Sequence, residues 1–398
     1  MLKHNTTYIG DEVILFEPFF DLYNNQIKLA GGTPRYVPLT FKPYDESPGA
    51  ISGGEWILEP ENLHKVITDK TRAIILNSPH NPTGKIFTRN EMEIIADAVT
   101  NLANDDCVVL SDEVYKYIVH APPRSEMEDE EAAQFEKTHN HNVDADADSS
   151  NDNENDNSSQ YQPAICQGHV HFASLPGMWE RTLTISSAGK TFSATGWQVG
   201  WSIGPAHLIA PMHQLLPYVQ FCASTVIQEA LARALPRADL PYEGYANYYE
   251  HLKAMYTRKR DLLGTALKDA GFGIPDYDET PGGGFFIFAR IGKEIIDSIP
   301  EDRLMAYNAA APGTVARQDW ALCQWMAEEK GVLCIPASPF FSENCQQDEN
   351  GDPISDQFVR IAFCKTNDTI QDAAEALMKI SESRPQREEE SMSASISS

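Results

Sequence analysis

Three short polar stretches, each placed just after a run of β-forming residues, carry most of the chemistry this sequence can offer. After Ala73–Leu76 comes Asn77-Ser78-Pro79-His80-Asn81-Pro82-Thr83-Gly84-Lys85; after Cys107–Leu110 comes Ser111-Asp112-Glu113-Val114-Tyr115; after Thr182–Ile185 comes Ser186-Ser187-Ala188-Gly189-Lys190-Thr191. Ligands in open α/β sheets gather beyond the carboxyl ends of strands, so one site could hold an amide, a carboxylate, a phenol, hydroxyls and a lysine. That set suits a pyridine-ring aldehyde bound through a lysine imine, with the protein orienting the ring and tuning its electronics. Lys190, flanked by small Ala188 and Gly189, is the expected imine lysine and the proton shuttle at the substrate Cα. Asp112 is expected to pair with the ring nitrogen, Asn81 and Tyr115 to hold the ring hydroxyl, and Ser187 to reach the phosphate. Late in the chain, Arg360 lies within Phe358-Val359-Arg360-Ile361, where its fork can clamp a substrate carboxylate. Taken singly, each has a plainer reading: a surface lysine, a turn at HNPTG, a helix cap at Asp-Glu, a structural ion pair at the arginine. It is their joint order and strand context that points to one site.

These residues need a framework, and the composition provides for one. In 398 residues, 42% are apolar and 22% charged, close to globular averages, and the length suggests two or three domains. Acids outnumber bases 58 to 31, for a formal charge of -27, which repels phosphate backbones and anionic lipid; neither nucleic acid nor membrane is an expected partner. No eighteen-residue apolar run is present, and the first residues lack the apolar core of a signal peptide. The expected compartment is the cytoplasm, with the mitochondrion left open. Seven scattered cysteines without a CxxC pair read as free buried thiols.

The acidic stretch 121–167 holds twelve acids and two bases, -10 of the -27, and reads as a disordered insertion; residues 383–398 read as a disordered tail. Elsewhere strands and helices alternate. Val13–Glu17, Ala73–Asn77, Cys107–Ser111 and Thr182–Ser186 read as strands, and Asn90–Asn101 as a helix opened by the capping box Thr88-x-x-Glu91. The fold class expected is α/β, a mostly parallel sheet covered by helices over 8–235, followed by a smaller α+β domain over 240–382. In that second part Gly283–Ile291, Val332–Pro336 and Phe358–Phe363 are strand candidates. Gln318–Lys330, stopped by Gly331, and Asp368–Ser381 are helix candidates. Pro211 and Pro217 are expected to break the helix that starts at Ala206. No metal site is expected: His139-x-His141 falls in the acidic stretch and His169-x-His171 reads as strand alternation. Gly282-Gly283-Gly284 is not a nucleotide loop, and no Ser/His/Asp triad can be placed.

The runs GDEVILFEPFFDLY, LNSPHNPTGKIF, VVLSDEVY, SLPGMWERTLTISSAGKTFSATGW, PGGGFF and VRIAF resemble the fold type I pyridoxal-phosphate aminotransferases. Within them the likeness is to the kynurenine aminotransferase group, also called cysteine-S-conjugate β-lyases or glutamine transaminase K, over roughly Tyr8–Ile380 outside the acidic stretch. The resemblance implies pyridoxal 5′-phosphate as cofactor and the roles already given to Lys190, Asp112, Asn81, Tyr115, Ser187 and Arg360. It adds Phe20 as the aromatic stacked on the ring and Phe221 near the substrate side chain. It also implies an amino acid and a 2-oxo acid as substrates, a β-lyase side activity, and a homodimer. Two departures stand out: the family pattern has a phosphate-cradling loop, a partner-lent tyrosine and an aromatic arm before GDEV, and it has Arg or Lys where this chain has Gln198. An amide in place of that cation costs roughly 1.5–3 kcal/mol, so a truncated, non-catalytic relic acting as a binding partner is the alternative expectation.

Overall fold

The computed structural model describes residues 10–45, 52–120, 169–277, 282–309, 317–348 and 351–382. The acidic stretch and the C-terminal tail lie outside the described residues. By chain contacts the protein divides into two units, one of Met1–Phe41, Glu55–Arg258 and Asp276–Phe286, the other of Lys42–Gly54, Lys259–Pro275 and Ile287–Ser398.

The first unit is built on a six-stranded sheet. Its strands are β1 (Glu12–Glu17), β2 (Thr33–Pro38), β5 (Thr71–Asn77), β6 (Val108–Asp112), β7 (Thr182–Ser187) and β8 (Gly200–Ile203), in the order β2-β1-β5-β6-β7-β8. Two short strands, β3 (Thr40–Pro43) and β4 (Gly54–Ile57), form a separate ribbon. All sheet pairings are parallel except β7 with β8, an antiparallel edge. Strands covered on both faces read as unbroken apolar runs rather than as alternation, which is why β1, Glu-Val-Ile-Leu-Phe-Glu, is buried at every position. The helices here are α1 (Asp21–Leu29), α2 (Pro60–Val66), α3 (Arg89–Asn101), α4 (Ala188–Thr191), α5 (Ala206–Val219), α6 (Thr225–Ala238) and α7 (Tyr248–Asp269), the last passing into the second unit after Arg258.

The capping box at α3 forms as its sequence predicts. Thr88 Oγ1 accepts the Glu91 N–H at 3.2 Å and Glu91 Oε2 accepts the Thr88 N–H at 2.9 Å. Glu91 also accepts the Leu58 N–H and pairs with Lys85 at 2.7 Å, so one buried carboxylate fixes a helix start and the end of the Asn77–Lys85 loop. The proline expectation is overturned: α5 runs unbroken through Pro211 and Pro217. Each proline frees the carbonyl four residues back, and those residues, His207 and His213, are exposed on a helix that buries no side chain, so water can take up the lost bonds.

In the second unit, a three-stranded sheet has the order β10-β11-β9, with β9 (Phe286–Arg290), β10 (Ile335–Pro336) and β11 (Phe358–Ala362). The β10 strand is shorter than the run Val332–Pro336 suggests. Helices α8 (Lys293–Asp297), α9 (Glu301–Ala309), α10 (Gln318–Trp325) and α11 (Asn367–Glu382) complete it. The predicted helix to Lys330 is α10 followed by a π-helical turn, Met326–Lys330, and it stops at Gly331, whose φ of 70° is the left-handed conformation of a C-terminal cap. Of the six described cysteines only Cys107 and Cys323 are buried; Cys222 and Cys364 are exposed and the other two partly so, which narrows the expectation of buried thiols.

Candidate active site

Because β1, β5, β6 and β7 are parallel, their carboxyl ends lie along one edge of the sheet, and the residues just beyond them are brought together there. Asn77 and Asp112 are register partners, as are Asp112 and Ile185, so the three polar stretches begin side by side.

The loop after β5 is held from within and from its neighbours. Asn77 donates through Nδ2 to the Asp112 carbonyl at 3.0 Å and accepts the Asn81 N–H on Oδ1 at 2.8 Å, which fixes Asn81, itself buried, over the end of β6. His80 Nδ1 lies 2.8 Å from Thr83 Oγ1. Burial, reinforced by the nearby Lys85 charge, lowers the His80 pKa to about 3, so the ring is neutral. Gly283 donates to the Gly84 carbonyl at 2.8 Å, and a Cβ on Gly283 would lie 2.5 Å from Pro79 Cβ and 3.0 Å from the Ile118 carbonyl oxygen. The glycine triplet is therefore a close-packed turn, and it sets Phe285 against Tyr115, with ring centroids 5.3 Å apart.

Lys190 sits in the single turn α4 directly after β7. Ser187 caps that turn, its Oγ accepting the Gly189 N–H at 3.1 Å. Gly189 packs so tightly that a Cβ there would be 2.9 Å from Thr195 Cα, which explains a glycine beside the lysine. The Lys190 ammonium lies 5.7 Å from the Tyr115 ring centroid and 5.6 Å from that of Phe285, within cation–π range. Gln198, the residue departing from the family pattern, is exposed, has φ 52°, and donates to the Thr195 carbonyl at 2.7 Å.

Asp112 is the electrostatic centre. Its Oδ2 accepts the Tyr23 hydroxyl at 2.5 Å and its Oδ1 the Val114 N–H at 3.2 Å. Burial raises its pKa, while the Tyr23 and Val114 bonds, and more weakly the Lys190 charge, pull it back. Tyr23 in turn has a pKa well above its ordinary 10, first from burial and then from the Asp112 charge, so it remains a donor. Phe20, at the start of α1, meets Tyr23 edge-on at 5.4 Å.

The two remaining sequence candidates are Phe221 and Arg360. Phe221 follows α5, 79% exposed and with φ 69°. Arg360 is on β11 in the second unit, its guanidinium carbon 4.8 Å from the Phe340 ring centroid. Sequence reasoning assigned no role to Tyr23 or Phe285, and named Asn77 only as part of its polar stretch. The signal for Tyr23 was its position three residues after Phe20 at a helix start, the spacing that puts two side chains on one face.

Residues 5–377 match the family model described as aminotransferase class I and II. The chain belongs to this family. The aminotransferase is 35% identical over 374 residues to a kynurenine–oxoglutarate transaminase of Dictyostelium discoideum, covering 93% of this chain and 71% of that protein. It is 34% identical over 376 residues to the human kynurenine–oxoglutarate transaminase 3, where it spans 93% of its own length and 66% of the relative's. Among solved structures, it is similar to N-succinyldiaminopimelate aminotransferase of Mycobacterium tuberculosis, with a TM-score of 0.63, 28% identity and coverage of 93% and 72% of the two chains. An aromatic aminotransferase of Pyrococcus horikoshii gives a TM-score of 0.62 at 27% identity, covering 94% of this chain and 74% of that one. The expected mostly parallel α/β fold is thus borne out by both the sheet and its structural neighbours. No helix among the described residues is long and apolar enough to cross a membrane.

Proposed function

We propose that this aminotransferase moves the amino group of an aromatic or sulfur amino acid of the kynurenine type to a 2-oxo acid, using pyridoxal 5′-phosphate. The observation that carries the reading is a lysine, Lys190, and a buried carboxylate, Asp112, at the ends of adjacent parallel strands, with Tyr115 and Phe285 forming an aromatic wall against the amine. The substrate class comes from the relatives named kynurenine–oxoglutarate transaminase. Neither they nor the family match favours the non-catalytic alternative.

The donor set fits the cofactor. Asp112 accepts a hydrogen bond on each oxygen, bonds that oppose the upward pull of burial on its pKa, and it would be the partner of a protonated ring nitrogen. When bound, the cofactor supplies a ring that takes up the electron pair left when the amino acid's Cα–H bond breaks. Lys190 Nζ, as general base and then general acid, would take the proton from Cα and pass it on to the cofactor side, leaving Cα ready to be released as the 2-oxo acid. Asn81 and Tyr115 would orient the ring hydroxyl, Ser187 would reach the phosphate, and Phe20 would be the aromatic beside the ring. Arg360 binds the substrate carboxylate, and Phe221 borders its side chain. A second copy of the chain is the natural cover for Leu215, Leu216, Tyr218, Val219, Phe221 and Val226, large apolar side chains exposed at the end of α5 and the start of α6.

Steady-state assays with kynurenine and with a cysteine conjugate, each with and without a 2-oxo acid, test the reading. It predicts oxo-acid-dependent turnover that vanishes in Lys190→Ala. Normal turnover in that variant contradicts it, and release of ammonia with pyruvate from the conjugate would report β-elimination instead.

A further inference from the structure

The segment expected to be a strand, His169-Val170-His171, is irregular, and it brings both imidazoles onto Glu113. His171 Nδ1 lies 2.6 Å from Glu113 Oε2 and His169 Nε2 lies 3.2 Å from the same oxygen. The ligand atoms of all three residues fall within 4.8 Å of one another. Glu113 and His169 are buried, while His171 is partly open to solvent.

Two features go beyond an ordinary buried ion pair. The His169 side chain is fully buried and its Nε2 is aimed at Glu113 Oε2 across 3.2 Å, so that two ring nitrogens converge on one carboxylate oxygen. Placing two imidazoles on a single buried oxygen is a costly arrangement, and a cation taken up between them would be bound by all three donors at once. The carboxylate is also already oriented, because Ser111 Oγ donates to Glu113 Oε1 at 2.9 Å, which leaves Oε2 turned to the two rings. Support of a ligand by an outer hydrogen bond is the usual construction of a metal centre. Ser111 and Glu113 are two residues apart, so they share one face of the strand end, opposite Asp112. The cluster is therefore separate from the cofactor residues.

We propose that Glu113, His169 and His171 bind one late first-row divalent cation, Zn2+ by preference, with water at the fourth position on the open His171 side. Two neutral imidazoles and one carboxylate form a ligand set suited to this class. The ion ties the chain at 169–171 to the end of β6, so it stabilises the fold by mass action independently of the transaminase reading.

The test is Co2+ titration of the chelator-stripped full chain followed by visible absorbance, then competition with Zn2+ and thermal unfolding. The expected result is one ion per chain, nitrogen and oxygen ligand-field bands without thiolate charge-transfer bands, and a Zn2+-dependent rise in Tm. Affinity should fall by about a hundredfold or more in His171→Ala. His171→Gln, which keeps a donor for Glu113 but is a poor ligand, should lose binding to a similar extent while its circular dichroism stays unchanged. No binding, thiolate bands, or equal binding in His171→Gln would overturn the assignment.

Discussion

The hydroxyl of Tyr23 donates to Oδ2 of Asp112 across 2.5 Å, linking α1 to the end of β6. This bond is the largest influence opposing the burial that raises the Asp112 pKa. It makes Tyr23 a positioning residue for the carboxylate. Tyr23→Phe keeps the ring and its contact with Phe20 but removes a charge-assisted bond of about 1.5–3 kcal/mol. Pyridoxal phosphate should be held about tenfold to a hundredfold less tightly, as read by equilibrium dialysis, with Tm little changed. Unaltered affinity would show that Asp112 needs no such partner.

Arg360→Gln should raise KM for the amino acid by about tenfold or more, because a bidentate carboxylate clamp becomes a neutral amide. The internal lysine-dependent absorbance should be unaffected, since Arg360 is assigned to the substrate alone. A fall in kcat with KM unchanged would place Arg360 elsewhere in the reaction.

His80 gives the fold an acid limit. Its pKa falls from 6.5 in the unfolded chain to about 3 in the folded one. The unfolded state therefore takes up a proton over that window while the folded state does not. His80 contributes stability fully above pH 6.5 and loses it as pH falls toward 3, at about 1.4 kcal/mol per pH unit. Urea unfolding at a series of pH values should show this slope, and His80→Gln should flatten it; an equal slope in the variant assigns acid sensitivity to other groups.

Gly283→Ala forces a methyl to within 2.5 Å of Pro79 Cβ and 3.0 Å of a backbone oxygen. It should lower unfolding free energy by about 1–3 kcal/mol, measured in urea, and weaken cofactor retention because the Asn77–Lys85 loop rests on this turn. Wild-type stability would mean that the loop can shift at no cost.

The parts of the site visible in the sequence were those governed by local rules. Lys190, Asp112 and Asn81 each follow an apolar strand, and parallel pairing of those strands is enough to assemble them. Thr88 and Glu91 announced α3 by their spacing. The roles of Tyr23, Asn77 and Phe285 escaped because they depend on partners far along the chain: Tyr23 meets Asp112 only through the packing of α1, and Phe285 reaches Tyr115 only because Gly283 and Gly284 turn the chain there. His169 and His171 alternate like strand residues, and nothing in their neighbourhood reveals that Glu113 lies between them. Pro211 and Pro217 misled for a different reason, since a helix that buries no side chain can leave carbonyls to water.

The central claim is that Lys190 and the groups around it hold pyridoxal phosphate. The most direct measurement is the visible absorbance of the purified chain after incubation with pyridoxal phosphate and removal of the excess, compared with Lys190→Ala. The account predicts a retained band in the wild type that is absent from the folded variant. A folded wild-type chain with no band, or an equal band in Lys190→Ala, would contradict it.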